Sequence, residues 1–165
     1  MAPVLRRGGT VLEGYVGPYT YFQGVPVQGI GTFHDPEEGS QRGKNSIYTV
    51  QLDGLTFCHL GDLGHDLTDK QVGWIGTVAV LFVPVGGGPT IGPEMASLIA
   101  ARLKPRLVVP MHYGFDARDG LLSRLSKVDE FLKDKKNVKV LNGRAFNISK
   151  EDLPKEQTII VPALK

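Results

Sequence analysis

Residues 77–114, TVAVLFVPVGGGPTIGPEMASLIAARLKPRLVVPMHYG, carry two almost wholly apolar runs on either side of an amphipathic stretch. The first run, 77–85, has the composition of a strand that is covered on both faces. Residues 93–103 place apolar side chains at helical spacing, and a proline is tolerated in the first turn of a helix. The second run, 106–114, predicts another buried strand, which ends in His112. This strand–helix–strand order predicts parallel pairing and an α/β arrangement.

The residues before this unit predict antiparallel strands. A glycine-broken strand region over 20–35 reaches His34, and two further apolar runs cover 46–52 and 55–62. Between these two runs lies Asp53-Gly54, the strongest short signal for a β-hairpin.

The remaining elements complete a β meander followed by βαβαβ. We expect a short helix over 67–76, capped by Asp66 or Thr68, an amphipathic helix over 121–136, and late strands over 138–141 and 158–164. The pattern predicts a mixed sheet with helices on at least one face, in an α/β or α+β fold. No internal repeat or linker divides the chain, so we expect a single domain over 1–165.

Length and composition restrict the classes of function. The chain has 165 residues, a net charge of +2 and 21 glycines, which cluster at the ends of apolar runs as is common around sites built from loops. Lysine and arginine do not interleave with aromatic residues, so nucleic-acid binding is disfavoured. A single cysteine suits a reducing compartment, and the first ten residues lack the apolar core of a signal peptide. The apolar runs are too short to span a bilayer, so we expect a soluble, cytoplasmic protein with no membrane partner.

All four histidines lie in or beside turns at predicted strand ends, and Asp62 lies among them. Strand ends that share a sheet edge converge, and imidazole with carboxylate suits Zn, Mn or Fe. In a regular strand over 56–62, side chains alternate between faces, so His59 and Asp62 point to opposite sides. The candidate metal ligands are therefore His34, Asp62 and His112. His65 lies near this site, and His59 is expected to pack or to support a ligand.

Each of these features also has a structural interpretation. A histidine in a strand is often only a hydrogen-bonded structural residue, and Asp62 between two glycines could cap its own turn. The loop 84–90 could bind an anion through its amides or serve only as a flexible connection. Lys44 and Arg42 could meet an anionic substrate or belong to a solvated face. Cys58 fits a small core residue better than a nucleophile.

Four segments together carry a family resemblance. They are GIGTFHD (29–35), RGKNSIYTVQLDGLTFCHLGDLGHDLTDKQ (42–71), VAVLFVPVGGGPTI (78–91) and LKPRLVVPMHYG (103–114). In this order, over about residues 10–115, they resemble the metallo-β-lactamase superfamily. The nearest branch is its small Zn-dependent hydrolases, related to the L-ascorbate-6-phosphate lactonases.

The resemblance implies an αββα sandwich and a metal-activated water as nucleophile. By position, His34 matches the histidine that binds the first metal, Asp62 the carboxylate that bridges two metals, and His112 the final histidine, which binds the second. One or two ions are implied, with Zn expected and Mn or Fe as alternatives. Neither metal position would have a complete ligand set, because the family's HxHxDH motif does not occur in this sequence.

The departure from the family leads to an expectation about partners. The N-terminal portion of the fold that carries HxHxDH is expected to be missing, which would leave apolar sheet surface uncovered. Three remedies are open: self-association into a homo-oligomer, pairing with a separate N-terminal half, or a start codon placed too late in the gene.

The predicted function is metal-dependent hydrolysis of a lactone, an ester or a phosphoester, weak or absent in this short chain. Asp62 would orient the attacking water, and His65 is a candidate for proton transfer. A small substrate, neutral or anionic, would contact residues of the turns at this sheet edge, which are Lys44, Gly87, Thr90 and Tyr113. The alternative is a non-catalytic remnant or interaction module of the same fold.

Overall fold

The computed structural model describes residues 16–115 and 124–163, and within them the strands form one eight-stranded mixed sheet. The strand order across the sheet is β1-β2-β3-β4-β5-β6-β8-β7. The elements are β1 (Gly17–Phe22), β2 (Val25–Phe33), β3 (Lys44–Leu52), β4 (Leu55–His59), α1 (Asp69–Ile75), β5 (Val80–Pro84), α2 (Pro93–Leu103), β6 (Leu107–Met111), α3 (Val128–Leu132), β7 (Val138–Val140) and β8 (Thr158–Val161).

The first four strands form the predicted antiparallel meander. Between β3 and β4, Asp53 and Gly54 adopt φ angles of 50° and 74°. Positive φ at both central residues is the requirement of the two-residue turn that matches strand twist, and Asp-Gly satisfies it. The predicted hairpin is confirmed.

Three parallel strands, β4, β5 and β6, follow through the crossover helices α1 and α2. Helix α1 begins at Thr68, whose hydroxyl accepts the Gln71 N–H while the Gln71 side chain accepts the Thr68 N–H. This reciprocal capping box satisfies two otherwise unpaired amides, so Thr68 is the cap of the two that the sequence offered. Because β2 and β4 are both antiparallel to β3, the carboxyl ends of β2, β4, β5 and β6 lie at one edge.

The two faces of the sheet are covered unequally. The face packed by the helices holds a cluster of 21 buried apolar residues, centred on side chains such as Ile47, Leu81 and Ile99. The opposite face has a cluster of four buried residues, Val80, Leu107, Val109 and Ile160, against which Phe57, Phe82 and parts of 141–153 pack only partly buried. The described residues therefore contain the helix layer and one sheet of the expected sandwich.

The prediction of a helix over 121–136 is wrong in extent within the described residues. Residues 121–123 lie outside the described residues, and α3 covers only Val128–Leu132. Before it, Ser126 donates its backbone N–H to Gly86 O and accepts the Gly114 N–H, so its backbone is committed to the strand-end loops. After it, extended Lys133 and left-handed Asp134, with φ of 61°, end the helix. No helix among the described residues is long and apolar enough to cross a membrane.

Candidate metal centre

Three of the loops at the carboxyl edge carry the predicted ligands. His34 directly follows β2, Asp62 lies three residues after β4, and His112 directly follows β6. The parallel direction of β2, β4 and β6 is what places these loops at a common edge.

His34 and Asp62 face each other across this edge. His34 Nε2 lies 4.0 Å from Asp62 Oδ2, and the two side chains are 24% and 26% exposed. This separation is too long for a hydrogen bond. His34 Nε2 is nevertheless buried and has no hydrogen-bond partner among residues 16–115 and 124–163. A buried ring nitrogen without a partner is costly, and a cation held between imidazole and carboxylate would relieve that cost. The pair therefore fits a metal ion as two of its protein ligands.

His112 is a separate member of the edge. Its backbone has a φ of 52°, and its Nδ1 lies 3.5 Å from the hydroxyl of Thr90, a buried residue in the loop after β5. Across residues 16–115 and 124–163, no three His, Cys, Asp or Glu side chains come together closely enough to hold one ion. The structure thus brings His34 to Asp62 but does not join His112 to them in a single three-ligand cluster.

The loop that carries Asp62 is held by an asparagine at the start of β3. Asn45 Oδ1 accepts the Asp62 N–H at 3.0 Å, and Asn45 Nδ2 donates to Leu60 O at 2.9 Å and to Thr32 Oγ1 at 2.8 Å. One side chain therefore ties β2 and β3 to the backbone on both sides of Gly61. Asn45 was not predicted from the sequence. The only signal near it was the basic segment RGKN at residues 42–45.

Glycines allow the strand-end loops to approach one another. A Cβ on Gly64 would overlap the backbone of His34 and Asp35, and Gly64 N–H donates to Phe33 O at 3.0 Å. A Cβ on Gly86 would overlap the carbonyl oxygen of His112. Any other residue at these positions would push the ligand-bearing loops apart.

Asp35, which sequence reasoning also missed, organises the loop behind His34. Its fully buried carboxylate accepts four backbone N–H groups, from Glu37, Gly39, Gln41 and Arg42, at 2.6–3.2 Å. Removal from water raises the pKa of Asp35, but the four donors favour the charged form and hold it below its ordinary value of 3.8. The available signal was an aspartate before the turn-forming residues 36–43.

The other two histidines are engaged with their own surroundings. His65 Nε2 accepts the Phe33 N–H at 3.1 Å, so its proton is on Nδ1, which lies 2.6 Å from the carbonyl oxygen of Asp66. His59 accepts the Gly61 N–H and stacks on Phe82, with ring centroids 5.8 Å apart. Desolvation lowers the pKa of His59, and the Asp62 carboxylate opposes this shift. His59 thus lies on the face of β4 opposite to Cys58, but β4 ends at His59, so the regular strand predicted through Asp62 does not reach that residue.

The candidate substrate contacts occupy different environments. Lys44 is exposed at the start of β3, and Gly87, with φ of 67°, donates its N–H to Ile91 O. The Thr90 N–H returns to Gly87 O, so these two amides of the glycine-rich loop are used internally. Tyr113 is 9% exposed within the helix-side core, where burial raises its pKa.

Cys58 is a core residue, as predicted. Its side chain is fully buried at the centre of the sheet, and burial raises the pKa of the thiol to about 12. A thiol in this environment is protonated at neutral pH and is not a nucleophile.

A mixed sheet covered by helices, with histidine and carboxylate ligands at the carboxyl ends of its strands, defines an α/β protein with a candidate metal edge. Comparison with known proteins identifies the family. A profile of the beta-lactamase superfamily domain matches residues 2–112. The chain is 37% identical over 101 residues to a UPF0173 metal-dependent hydrolase of Thermococcus kodakarensis, covering 59% of this chain and 44% of that protein.

Two further comparisons extend this result. A UPF0173 metal-dependent hydrolase of Pelotomaculum thermopropionicum is 30% identical over 122 residues, covering 68% of this chain and 53% of that protein. A Thermotoga maritima crystal structure, described among Zn-dependent hydrolases of the metallo-beta-lactamase superfamily, superposes with a TM-score of 0.76 at 36% identity, over 90% of this chain and 69% of that one. The chain belongs to the metallo-β-lactamase superfamily. It spans about half the length of the curated relatives it matches.

Proposed function

We propose that this chain contributes to a metal-dependent hydrolase active site, with His34 and Asp62 as its first pair of protein ligands. The observation that carries the proposal is the buried His34 Nε2, which lies 4.0 Å from Asp62 Oδ2 and has no hydrogen-bond partner in the described part of the chain. Relatives named metal-dependent hydrolases support the same chemistry.

The proposal assigns each residue a task. His34 offers a ring nitrogen and Asp62 a carboxylate, while His112 offers a third ligand at a neighbouring position of the edge. A divalent cation bound there would supply a Lewis acid that lowers the pKa of water to about 7 and polarises a substrate oxygen. Asp62 would also orient the attacking water. His65 is assigned a positioning role in place of proton transfer, because both its ring nitrogens face backbone groups.

The substrate class proposed is a small ester, lactone or phosphoester, and Zn²⁺ is the proposed metal, with Mn²⁺ or Fe²⁺ as alternatives. Lys44, exposed at the start of β3 beside the loop of Asp62, is the proposed contact for a negative group on the substrate. Gly87 and Thr90 would shape the opposite wall, next to His112.

We also propose that the sparsely covered sheet face binds a second protein surface. Val27, Val50, Phe57, Val80 and Leu107 pair directly across five strands, so they form one apolar row on this face. Counting only the residues that the structure describes, the buried cluster there has four members, against 21 on the helix side. A second copy of this chain, or a separate N-terminal half of the fold, would cover it.

The alternative function is a non-catalytic interaction module of the same fold. The observation that favours it is that, among the described residues, no three metal-binding side chains form a cluster. A catalytic zinc usually has three protein ligands and a water.

Metal content after exhaustive dialysis distinguishes the two functions. We expect near-stoichiometric Zn, Mn or Fe in the wild type and its loss in Asp62→Ala. Asp69→Ala is the matched control, because it removes an exposed carboxylate that pairs with Arg102 in α2. Retention of metal in Asp62→Ala, or no metal in any of the three proteins, would contradict the hydrolase proposal and support the interaction module.

A further inference from the structure

We infer that Asn45 is a positioning residue for the metal centre, acting through the backbone of Asp62; this inference rests on the proposed function. Asn45 is not itself proposed as a metal ligand. Its amide oxygen holds the Asp62 N–H, and its amide nitrogen holds Leu60 O and Thr32 Oγ1.

The three hydrogen bonds use the asparagine amide in one orientation. The acceptor oxygen must face the Asp62 N–H, and the donor nitrogen must face the carbonyl of Leu60. Thr32 is 2% exposed, and the bonds therefore lie in a poorly hydrated region where losing one is costly. An aspartate or leucine of similar size would satisfy one side at most.

The neighbouring glycine shows how closely the loop packs on this amide. Gly61 has a φ of 61°, and a Cβ there would overlap Asn45 Oδ1 and approach Ser46 O. The Leu60–Asp62 backbone thus lies directly against the Asn45 side chain. Since His34 lies two residues after Thr32, just past the end of β2, the same amide links the strand that leads to one ligand with the loop of the other.

Asn45 therefore sets the distance between His34 and Asp62. Its loss would release the Asp62 backbone, while the Gly64 N–H remains bonded to Phe33 O. Residues that orient metal ligands typically change metal affinity by about 10- to 100-fold when they are replaced. We expect this effect on the affinity for the metal, with little change in the cooperative unfolding of the sheet.

The test compares Asn45→Ala with Asn137→Ala, a matched control in which an amide that donates to Glu156 and to Gln157 O is removed far from the edge. Zn²⁺ affinity is measured by competition with a chelator, and amide hydrogen exchange of the metal-free protein is followed by NMR. Asn45→Ala should weaken Zn²⁺ binding by about 10- to 100-fold. It should also speed exchange at the Asp62 amide but not at the Gly64 amide, and Asn137→Ala should change neither quantity.

A second variant covers the case in which Asn45→Ala does not fold. Thr32→Val keeps the volume of a buried side chain but removes one acceptor of the Asn45 amide, so it should lower Zn²⁺ affinity in the same direction by a smaller factor. Unchanged affinity in the folded variants, with wild-type binding that depends on Asp62, would overturn the role of Asn45 alone. Wild-type binding that is absent or unaffected by Asp62→Ala would overturn the proposed function itself.

Discussion

At the carboxyl edge, side chains are held in place mainly by hydrogen bonds to backbone groups, and less by contacts with other side chains. The Asp35 carboxylate accepts four amides, His65 accepts one, and Asn45 connects to the backbone on both sides of Gly61. Where loops approach this closely, a single added carbon atom is enough to separate them. The effect of a substitution on stability at this edge therefore depends more on the space beside the Cα than on the chemical type of the residue.

Two glycines that differ in this space should respond in opposite directions to alanine. Gly64→Ala places a Cβ on the backbone of His34, and we expect the free energy of unfolding to fall by about 1–3 kcal/mol. Gly73 lies in α1, where, apart from the helix backbone and the two adjacent residues, no atom of the described residues is within 4 Å of an added Cβ. Gly73→Ala should therefore raise that free energy by about 0.5–1 kcal/mol. Urea unfolding measures both, and equal effects would contradict the close approach.

The thiol of Cys58 should be protected from modification. A pKa of about 12, against 9.0 for an ordinary thiol, lowers the thiolate fraction near pH 8 by about 1000-fold. We expect Ellman's reagent to label the native protein at least that much more slowly than the denatured protein. Similar rates in the two states would mean that this part of the sheet is open to solvent.

Sequence patterns identified residues by chemical type but not by contact. His34, Asp62 and His112 were found because imidazoles and a carboxylate at strand ends are unusual, and the structure places them at one edge. Whether they bind metal stays a prediction. Asn45 and Asp35 were missed because their partners are backbone amides and carbonyls, which every sequence has and which only the folded chain brings together.

At the scale of elements, turns and caps could be predicted from short sequence signals, because interactions between neighbouring residues determine them. The Asp53-Gly54 hairpin is specified within a few residues and is confirmed, and of the two caps left open, Asp66 and Thr68, the structure has Thr68. The helix predicted over 121–136 is shortened to Val128–Leu132 within the described residues, and the reason is non-local. Its apolar spacing is helical, but Ser126 pairs instead with Gly86 and Gly114 in loops distant along the chain.

The capping box of α1 gives a test at this scale. Thr68→Ala removes the acceptor for the Gln71 amide and should lower the free energy of unfolding by about 1 kcal/mol. Thr68→Ser keeps the hydroxyl and should retain most of that stability. Chemical denaturation of the three proteins measures the difference, and equal losses in both variants would point to the Thr68 methyl group rather than the cap.

For the whole molecule, the main feature is the difference between the two faces of the sheet. Helices bury one face, while the other combines a small apolar cluster with side chains that remain partly accessible, such as Phe57 and Phe82. The mixed sheet and its helix layer were predicted from the alternation of apolar runs. The single-domain organisation and the partner of the second face stay predictions. Apolar patterning indicates that a surface is buried, but it does not identify the surface that covers it.

Self-association should depend on the sparsely covered face. Val50→Lys places a charge in the apolar row formed with Val27 and Phe57, and we expect it to reduce oligomer formation in sedimentation velocity. Val140→Lys is the control, since Val140 is 67% exposed on β7 and pairs with Val161, a member of the helix-side cluster. A monodisperse wild-type monomer without dye binding would contradict the prediction.

The parallel course of β4, β5 and β6 also determines when each ligand arrives during synthesis. Residues 34–43 join β2 to β3 and the Asp53-Gly54 turn joins β3 to β4, so the loops of His34 and Asp62 can meet once the chain through Asp62 has left the ribosome. His112 arrives only after two helical crossovers have been completed, and such long-range closures are slow. In the order of the chain, both loops of the His34–Asp62 pair are therefore complete before the segment that carries the third candidate ligand.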